Sequence, residues 1–184
     1  MNNNKMLKNI FASILIFCLQ CSAMEQGQIS QQSSFMATIG SNDIAEIEQE
    51  LKAGMNPNFV FYGYSPLTLA ADDVAADDAD EKVVELLLRY NADVNMPNWD
   101  TMTPLMYAAK RGNASMVQLL LAHKAKVNIA DQFNNTALTF AAQNGDKKIY
   151  NMLVAAGATQ DARSGQFHRT PREIMQEWAH QSRE

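Results

Sequence analysis

Cysteine is nearly absent from the 184 residues: there are two, Cys18 and Cys21, and both lie within the first 23 positions. A chain processed behind that segment has no thiol, which excludes a disulfide framework, a cysteine nucleophile and cysteine-ligated zinc. Histidine is scarce as well. His123, His168 and His180 stand far apart, with no H-x-x-x-H pair to hold a metal. Glycine numbers eight, and none of them forms a phosphate-cradling loop. Basic residues are outnumbered 15 to 20 and form no stripe, which argues against nucleic acid or an anionic membrane surface as partner. Carboxylates are plentiful, yet none stands in order with a histidine and a nucleophile. The chain therefore reads as non-catalytic, without cofactor or metal.

The opening letters, MNNNKMLKNIFASILIFCLQCSA, place Lys5 and Lys8 ahead of an apolar run from Ile10 to Leu19, with small Ser22 and Ala23 behind it. That is the layout of a secretory signal peptide, with cleavage expected after Ala23. The run is too short to cross a ~30 Å hydrocarbon core as a helix rising about 1.5 Å per residue. A lipoprotein signal ending at Cys21 is the competing reading. It calls for a small residue before the cysteine, and Gln20 stands there. The expected location is periplasmic or secreted. Removing Lys5 and Lys8 leaves 13 basic side chains against 20 acidic ones.

What the chain has in abundance is itself. TPLMYAAKRGN at residues 103–113 returns as TALTFAAQNGD at 136–146, and MVQLLLAHKAKVN from 116 returns as IYNMLVAAGATQD from 149. The period is 33 residues, the mark of a repeat architecture. Earlier, SPLTLAADD from 65 and KVVELLLRYNADVN from 82 fill the same two slots, with five extra residues between them. NDIAEIEQELKAGMNPN from 42 matches the second half alone, and TPREIMQEWA from 170 the first half alone. Ser65, Thr103, Thr136 and Thr170 are placed to cap helices, with Pro66, Pro104 and Pro171 at the first helical position. Ala70, Ala71, Ala108, Ala109, Ala141 and Ala142 allow close helix approach. Gly112 and Gly145 are placed to end the first helices in left-handed turns, and Asp80, Asn113 and Asp146 to cap the second ones. Leu86, Leu87, Leu120, Leu121 and Leu153 form the seam that stacks one unit on the next.

These letters resemble the ankyrin repeat, over about residues 36–180. The resemblance implies an all-α fold: an ankyrin-type α-solenoid of stacked helix-turn-helix units joined by short β-hairpin-like turns. The expected organisation is a signal peptide at 1–23, a polar flexible leader at 24–35 and an N-terminal half unit at 36–58. Full units follow at 59–95, 96–128 and 129–161, and a connector with a capping helix at 162–184. That last helix has Ile174, Met175 and Trp178 on one face. Thr68, Met106 and Thr139 stand where the family usually has histidine, so a polar bridge of the family is missing or replaced. Thr101 occupies a turn slot filled elsewhere by Gly63 and Asn134, and a β-branched residue tolerates positive φ badly. Lys124 stands where Gly54 and Gly157 do and raises the same conflict more mildly.

The resemblance further implies non-covalent binding of another protein by a monomeric module, through turn tips and the concave helix face. Aligned units place Phe61, Trp99 and Gln132 in one row of tips, Tyr62, Asp100 and Phe133 in the next, and Tyr64, Met102 and Asn135 in a third. On the first helices Leu69, Tyr107 and Phe140 share a slot beside Lys110, Arg111, Gln143 and Asn144. Aromatics and methionine in such rows favour a protein partner, because rigid rings supply contact area at hot spots. The stretch FVFYGY is one residue shorter than the later turns, so its rings are also candidates to pack over the end of the stack. The alternative function is a structural or protective accessory of an envelope enzyme. DDVAADDADE, residues 72–81, carries six carboxylates. It lacks the glycine and the alternating ligands of a calcium loop and reads as a solvated acidic insertion.

Overall fold

The structure is a computed structural model and describes residues 26–72, 78–161 and 169–181. The expected signal peptide, residues 73–77 of the acidic insertion and residues 162–168 of the connector, with His168, lie outside the described residues. Residues 26–40 form helix α1. It is followed by α2 (Ile44–Lys52), α3 (Pro66–Ala71), α4 (Asp78–Arg89), α5 (Pro104–Arg111), α6 (Ala114–Ala122), α7 (Ala137–Gln143), α8 (Lys147–Ala155) and α9 (Pro171–Gln181). Among the described residues no strand forms beyond one isolated bridge, Phe61 to Tyr64, and no helix is long and apolar enough to cross a membrane.

Each helix pair is specified by its ends. Ser65, Thr103 and Thr136 adopt extended backbone, and each side-chain oxygen accepts the N–H three residues on. The reply comes from the residues that replace histidine. Thr68 Oγ1 accepts the Ser65 N–H at 2.7 Å, Thr139 Oγ1 that of Thr136 at 3.2 Å, and the Met106 sulfur that of Thr103 at 3.4 Å. The replacement letters therefore complete capping boxes. Thr170 and Glu173 do the same for α9. At the other end of α5, Gly112 is left-handed with φ 74°, and the Asn113 N–H reaches back to the Ala108 carbonyl at 3.0 Å. The Asn113 side chain then accepts from Met116 N at 2.9 Å to start α6. Gly145 and Asp146 repeat this between α7 and α8. One residue closes one helix with its N–H and opens the next with its side chain.

Three sequence expectations need correction. Asp80 does not precede the second helix of its unit, because α4 starts at Asp78 and Asp80 lies in its first turn. The leader expected at 24–35 is not an extended flexible segment over its described part: residues 26–40 are helical. Its first nine residues are almost all exposed, which is why their polarity carries no information against a helix, while Phe35, Thr38 and Ile39 are buried at helical spacing. Nor does the array open on a half unit, since α1 and α2 form a complete helix pair. Asn42 takes the left-handed position with φ 55°, Asp43 caps α2 through Glu46 N, and Thr38 Oγ1 donates to Glu50 across the pair at 3.1 Å.

The pairs stack as two layers, α3–α5–α7–α9 and α2–α4–α6–α8, with each helix packed on its counterpart in the next unit. The alanine pairs of α3, α5 and α7 are buried between them, as are Leu67, Leu105 and Leu138. In the second layer Val83, Leu87, Val117, Leu120, Ile149 and Leu153 are closed to solvent. Leu121 of the expected seam is only half-buried. Each fully buried aliphatic side chain contributes about 1.5–3 kcal/mol, and because each helix packs on its counterpart in the next unit, much of that burial needs the neighbour. Asparagines tie the units in polar terms. The side chains of Asn58, Asn95 and Asn128 accept the N–H groups of Asp93, Lys126 and Thr159 at 2.7–2.8 Å. Asn58 and Asn128 also donate to the carbonyls of Asn91 and Gly157. At the C-terminal end α9 packs on α7, laying the Trp178 ring on Gly145.

Candidate functional site

The three turn tips are built in two ways. Phe61 and Tyr64 exchange both backbone hydrogen bonds, at 2.8 and 3.1 Å, around a two-residue turn, Tyr62-Gly63, whose φ values are 46° and 93°. Two positive φ values are what a tight hairpin turn requires, and the missing residue of FVFYGY produces it. In the next two tips the outer bond runs from Asn98 N to Met102 O and from Asp131 N to Asn135 O, each at 2.9 Å. Each leaves three residues in the loop, with the left-handed position at Thr101 (φ 61°) and Asn134 (φ 63°). The neighbouring tips are linked. Trp99 N donates to Gly63 O at 3.1 Å, the Trp99 indole lies against Gly63, and Gln132 Nε2 donates to Asp100 Oδ1 at 3.2 Å.

This geometry sorts the candidate residues. Tyr62, Trp99 and Phe133 stand out at 82, 69 and 54% exposed, and Asp100 is exposed beside them. Phe61 and Tyr64 are half-buried, Phe61 meeting Tyr62 edge to face at 4.6 Å between centroids. Phe59, from the same stretch, turns inward onto Phe35. Along the first helices Lys110 and Arg111 are exposed, and Phe140 and Gln143 half-buried. Lys110 Nζ sits over the Phe140 ring at 5.9 Å. Arg111 holds Asp72, with Nε and Nη2 each 2.8 Å from Oδ1, and the hydrogen bond with Asp72 raises its already high pKa further.

Met102, Tyr107 and Asn135 do not belong to an accessible surface. They are 7, 5 and 5% exposed, because their slots alternate inward where the tips close onto the first helices. Met102 packs in the core. Asn135 donates to Asp131 Oδ2 at 3.1 Å while its N–H is held by Asp131 Oδ1. Tyr107 accepts from Asn98 Nδ2 at 2.7 Å and lies against the Tyr64 ring. Burial pushes the Tyr107 hydroxyl well above the ordinary phenol range, and Tyr64, Asp72 and Asp100 push it further the same way. It keeps its proton as a structural group.

Two residues that shape the site were not among the sequence candidates, Asn98 and Asp131, which fold the tips; Asn144, placed beside Lys110 by the alignment, donates its amide to the Lys110 carbonyl at 2.8 Å. An Asn or Asp at the same register, 33 residues apart and just ahead of an aromatic tip, is a turn signal that could have found Asn98 and Asp131. Among the described residues no group of histidine and carboxylates is placed to hold a metal.

No curated protein matches the chain. A family model, Ankyrin repeats (3 copies), matches residues 73–164, half of the 184 residues, and the all-helical stack described above is consistent with an ankyrin solenoid. Repeats of this kind indicate a protein–protein interaction module, in a family that is generally non-catalytic. The chain belongs to the ankyrin repeat family.

Proposed function

We propose that the protein is an exported, non-catalytic binding module that captures a partner protein on its row of aromatic turn tips, with Tyr62, Trp99 and Phe133 as anchors. The observation that carries this reading is the exposure of three large aromatic rings at successive tips. Each ring stands on a turn held by backbone hydrogen bonds. An exposed ring on a fixed turn loses little conformational freedom when it is covered, and such residues dominate binding energies. Asp100, Lys110 and Arg111 supply a polar rim of both signs, which tunes association rate and selectivity more than affinity. Export rests on the basic, apolar and small-residue order of positions 1–23.

The test is capture from extracytoplasmic extracts by the wild-type protein beside a Tyr62→Ala/Trp99→Ala/Phe133→Ala variant of unchanged circular dichroism. A Lys82→Ala/Glu85→Ala variant on the exposed side of α4 serves as control. A saturable partner lost only by the tip variant supports the reading. Equal capture by all three proteins refutes it.

A further inference from the structure

We propose that Asn98 and Tyr107 form a positioning pair that fixes the Trp99 tip, whereas the Phe133 tip is locked by itself. The proposal rests on the reading of the tips as the binding surface and assigns the residues that hold one of them ready. Asn98 touches every part of its turn. Its N–H donates to Met102 O at 2.9 Å and its carbonyl accepts Thr101 N at 3.1 Å. Its side-chain Oδ1 accepts Met102 N at 2.9 Å, which leaves Nδ2 to donate to Tyr107 Oη at 2.7 Å. Both residues are buried, so neither end of this bond has water as a substitute. The residue before Trp99 is thereby tied to the side of α5.

From Tyr107 the contact continues through packed rings. The Tyr107 ring lies against that of Tyr64, with centroids 5.9 Å apart, and Tyr64 Oη donates to Asp72 Oδ2 at 3.3 Å. Asp72 in turn accepts from Arg111 at 2.8 Å. The tip of one unit thus packs, through two tyrosine rings, against the C-terminal end of α3 in the unit before it.

The next unit shows why the pair is read as one device. There Asp131 replaces Asn98 and Phe140 replaces Tyr107. A carboxylate has no N–H to donate and a phenyl ring has no oxygen to accept, so the two changes occur together. Asp131 spends its oxygens inside the turn instead. Oδ1 accepts from Phe133 N and Asn135 N at 2.9 and 2.8 Å, and Oδ2 from Asn135 Nδ2 at 3.1 Å. Asn135 supplies that last donor where the Trp99 tip has Met102. The two locks differ in three letters, Asn-Met-Tyr against Asp-Asn-Phe, and each set supplies the donors its acceptors use, with Asn135 Oδ1 buried and without a partner among the described residues.

The experiment compares amide hydrogen exchange at Met102 and Asn135 in wild type and Tyr107→Phe, with the anisotropy of Trp99 read in a Trp178→Phe background. Loss of the hydroxyl should lower Met102 protection by about tenfold, leave Asn135 unchanged and lower the Trp99 anisotropy. Installing the neighbouring lock as Asn98→Asp/Met102→Asn/Tyr107→Phe should restore both signals. Equal changes at the two amides, no change at either, or no rescue by the triple exchange overturns the pair. Partner capture is scored separately, and Tyr107→Phe should weaken it about fivefold. Lost Met102 protection with undiminished capture refutes the tip reading and leaves the pair standing.

Discussion

Thr101→Gly should make the protein more stable, although it deletes a side chain. Thr101 sits at φ 61°, where its Cβ crowds the following carbonyl at a cost of about 1–2 kcal/mol for an L residue, more when Cβ is branched. The side chain is exposed and hydrogen-bonds the adjacent Asp100 carbonyl at 2.6 Å, so little packing is lost. Glycine returns about 0.5–1 kcal/mol through the larger entropy of the unfolded chain. The net gain is about 0.5–1 kcal/mol, or a Tm rise of about 1–4 °C at this chain length. Thr101→Asn, which copies Asn134 of the next tip, should gain at least as much, because asparagine tolerates this region without the entropy of glycine. Asn134→Thr should lose a similar amount. Thermal melts followed by circular dichroism decide the matter. If Thr101→Gly and Thr101→Asn both leave Tm unchanged or lower it, the strain reasoning is wrong.

Other outcomes follow from the same geometry. Lys124→Gly, at φ 62° behind α6, should raise Tm by less than Thr101→Gly, since lysine is unbranched at Cβ and carries the ordinary cost of about 1–2 kcal/mol without the added cost of branching. Gly145→Ala should destabilise the C-terminal cap by about 1–3 kcal/mol. Its Cβ would lie 2.7 Å from the Trp178 ring at φ 66°, and a red-shifted Trp178 emission in a Trp99→Phe background would report the displaced ring. Alkali should weaken the fold from about pH 10 upward. The folded state holds the Tyr107 proton more tightly than the ordinary phenol value of 10.0, so its contribution is complete below that pH and is lost as the unfolded chain ionises above it. Tyr107→Phe should make the alkaline loss shallower in urea melts run between pH 8 and 11.

Most of the fold was legible because each unit repeats its punctuation. Thr-Pro, paired alanines, Gly-Asn or Gly-Asp and the leucine seam are local signals, and the 33-residue period multiplies them. Helix α1 escaped because nearly all of its first nine residues face solvent, where glutamine and serine are as acceptable in a helix as in a flexible leader. Its information sits in Phe35, Thr38 and Ile39, too few positions to outweigh the polar majority. The aromatic tips Tyr62, Trp99 and Phe133 were correctly placed in solvent by alignment alone. Met102, Tyr107 and Asn135 were misplaced because an aligned column says which residues share a slot and not which way that slot points. Tyr107 faces inward since its hydroxyl has a buried donor waiting at Asn98, a pairing nine residues apart that no periodicity reveals.

The central claim is that an exposed indole on a fixed turn anchors the partner, and its most direct test is the Kd of the captured partner for Trp99→Ala, with Glu85→Ala as the control. A hot-spot ring is worth about 2 kcal/mol or more, so Trp99→Ala should weaken binding by about 30-fold while Glu85→Ala stays within about twofold of wild type. Both variants binding within about twofold of wild type would contradict the account.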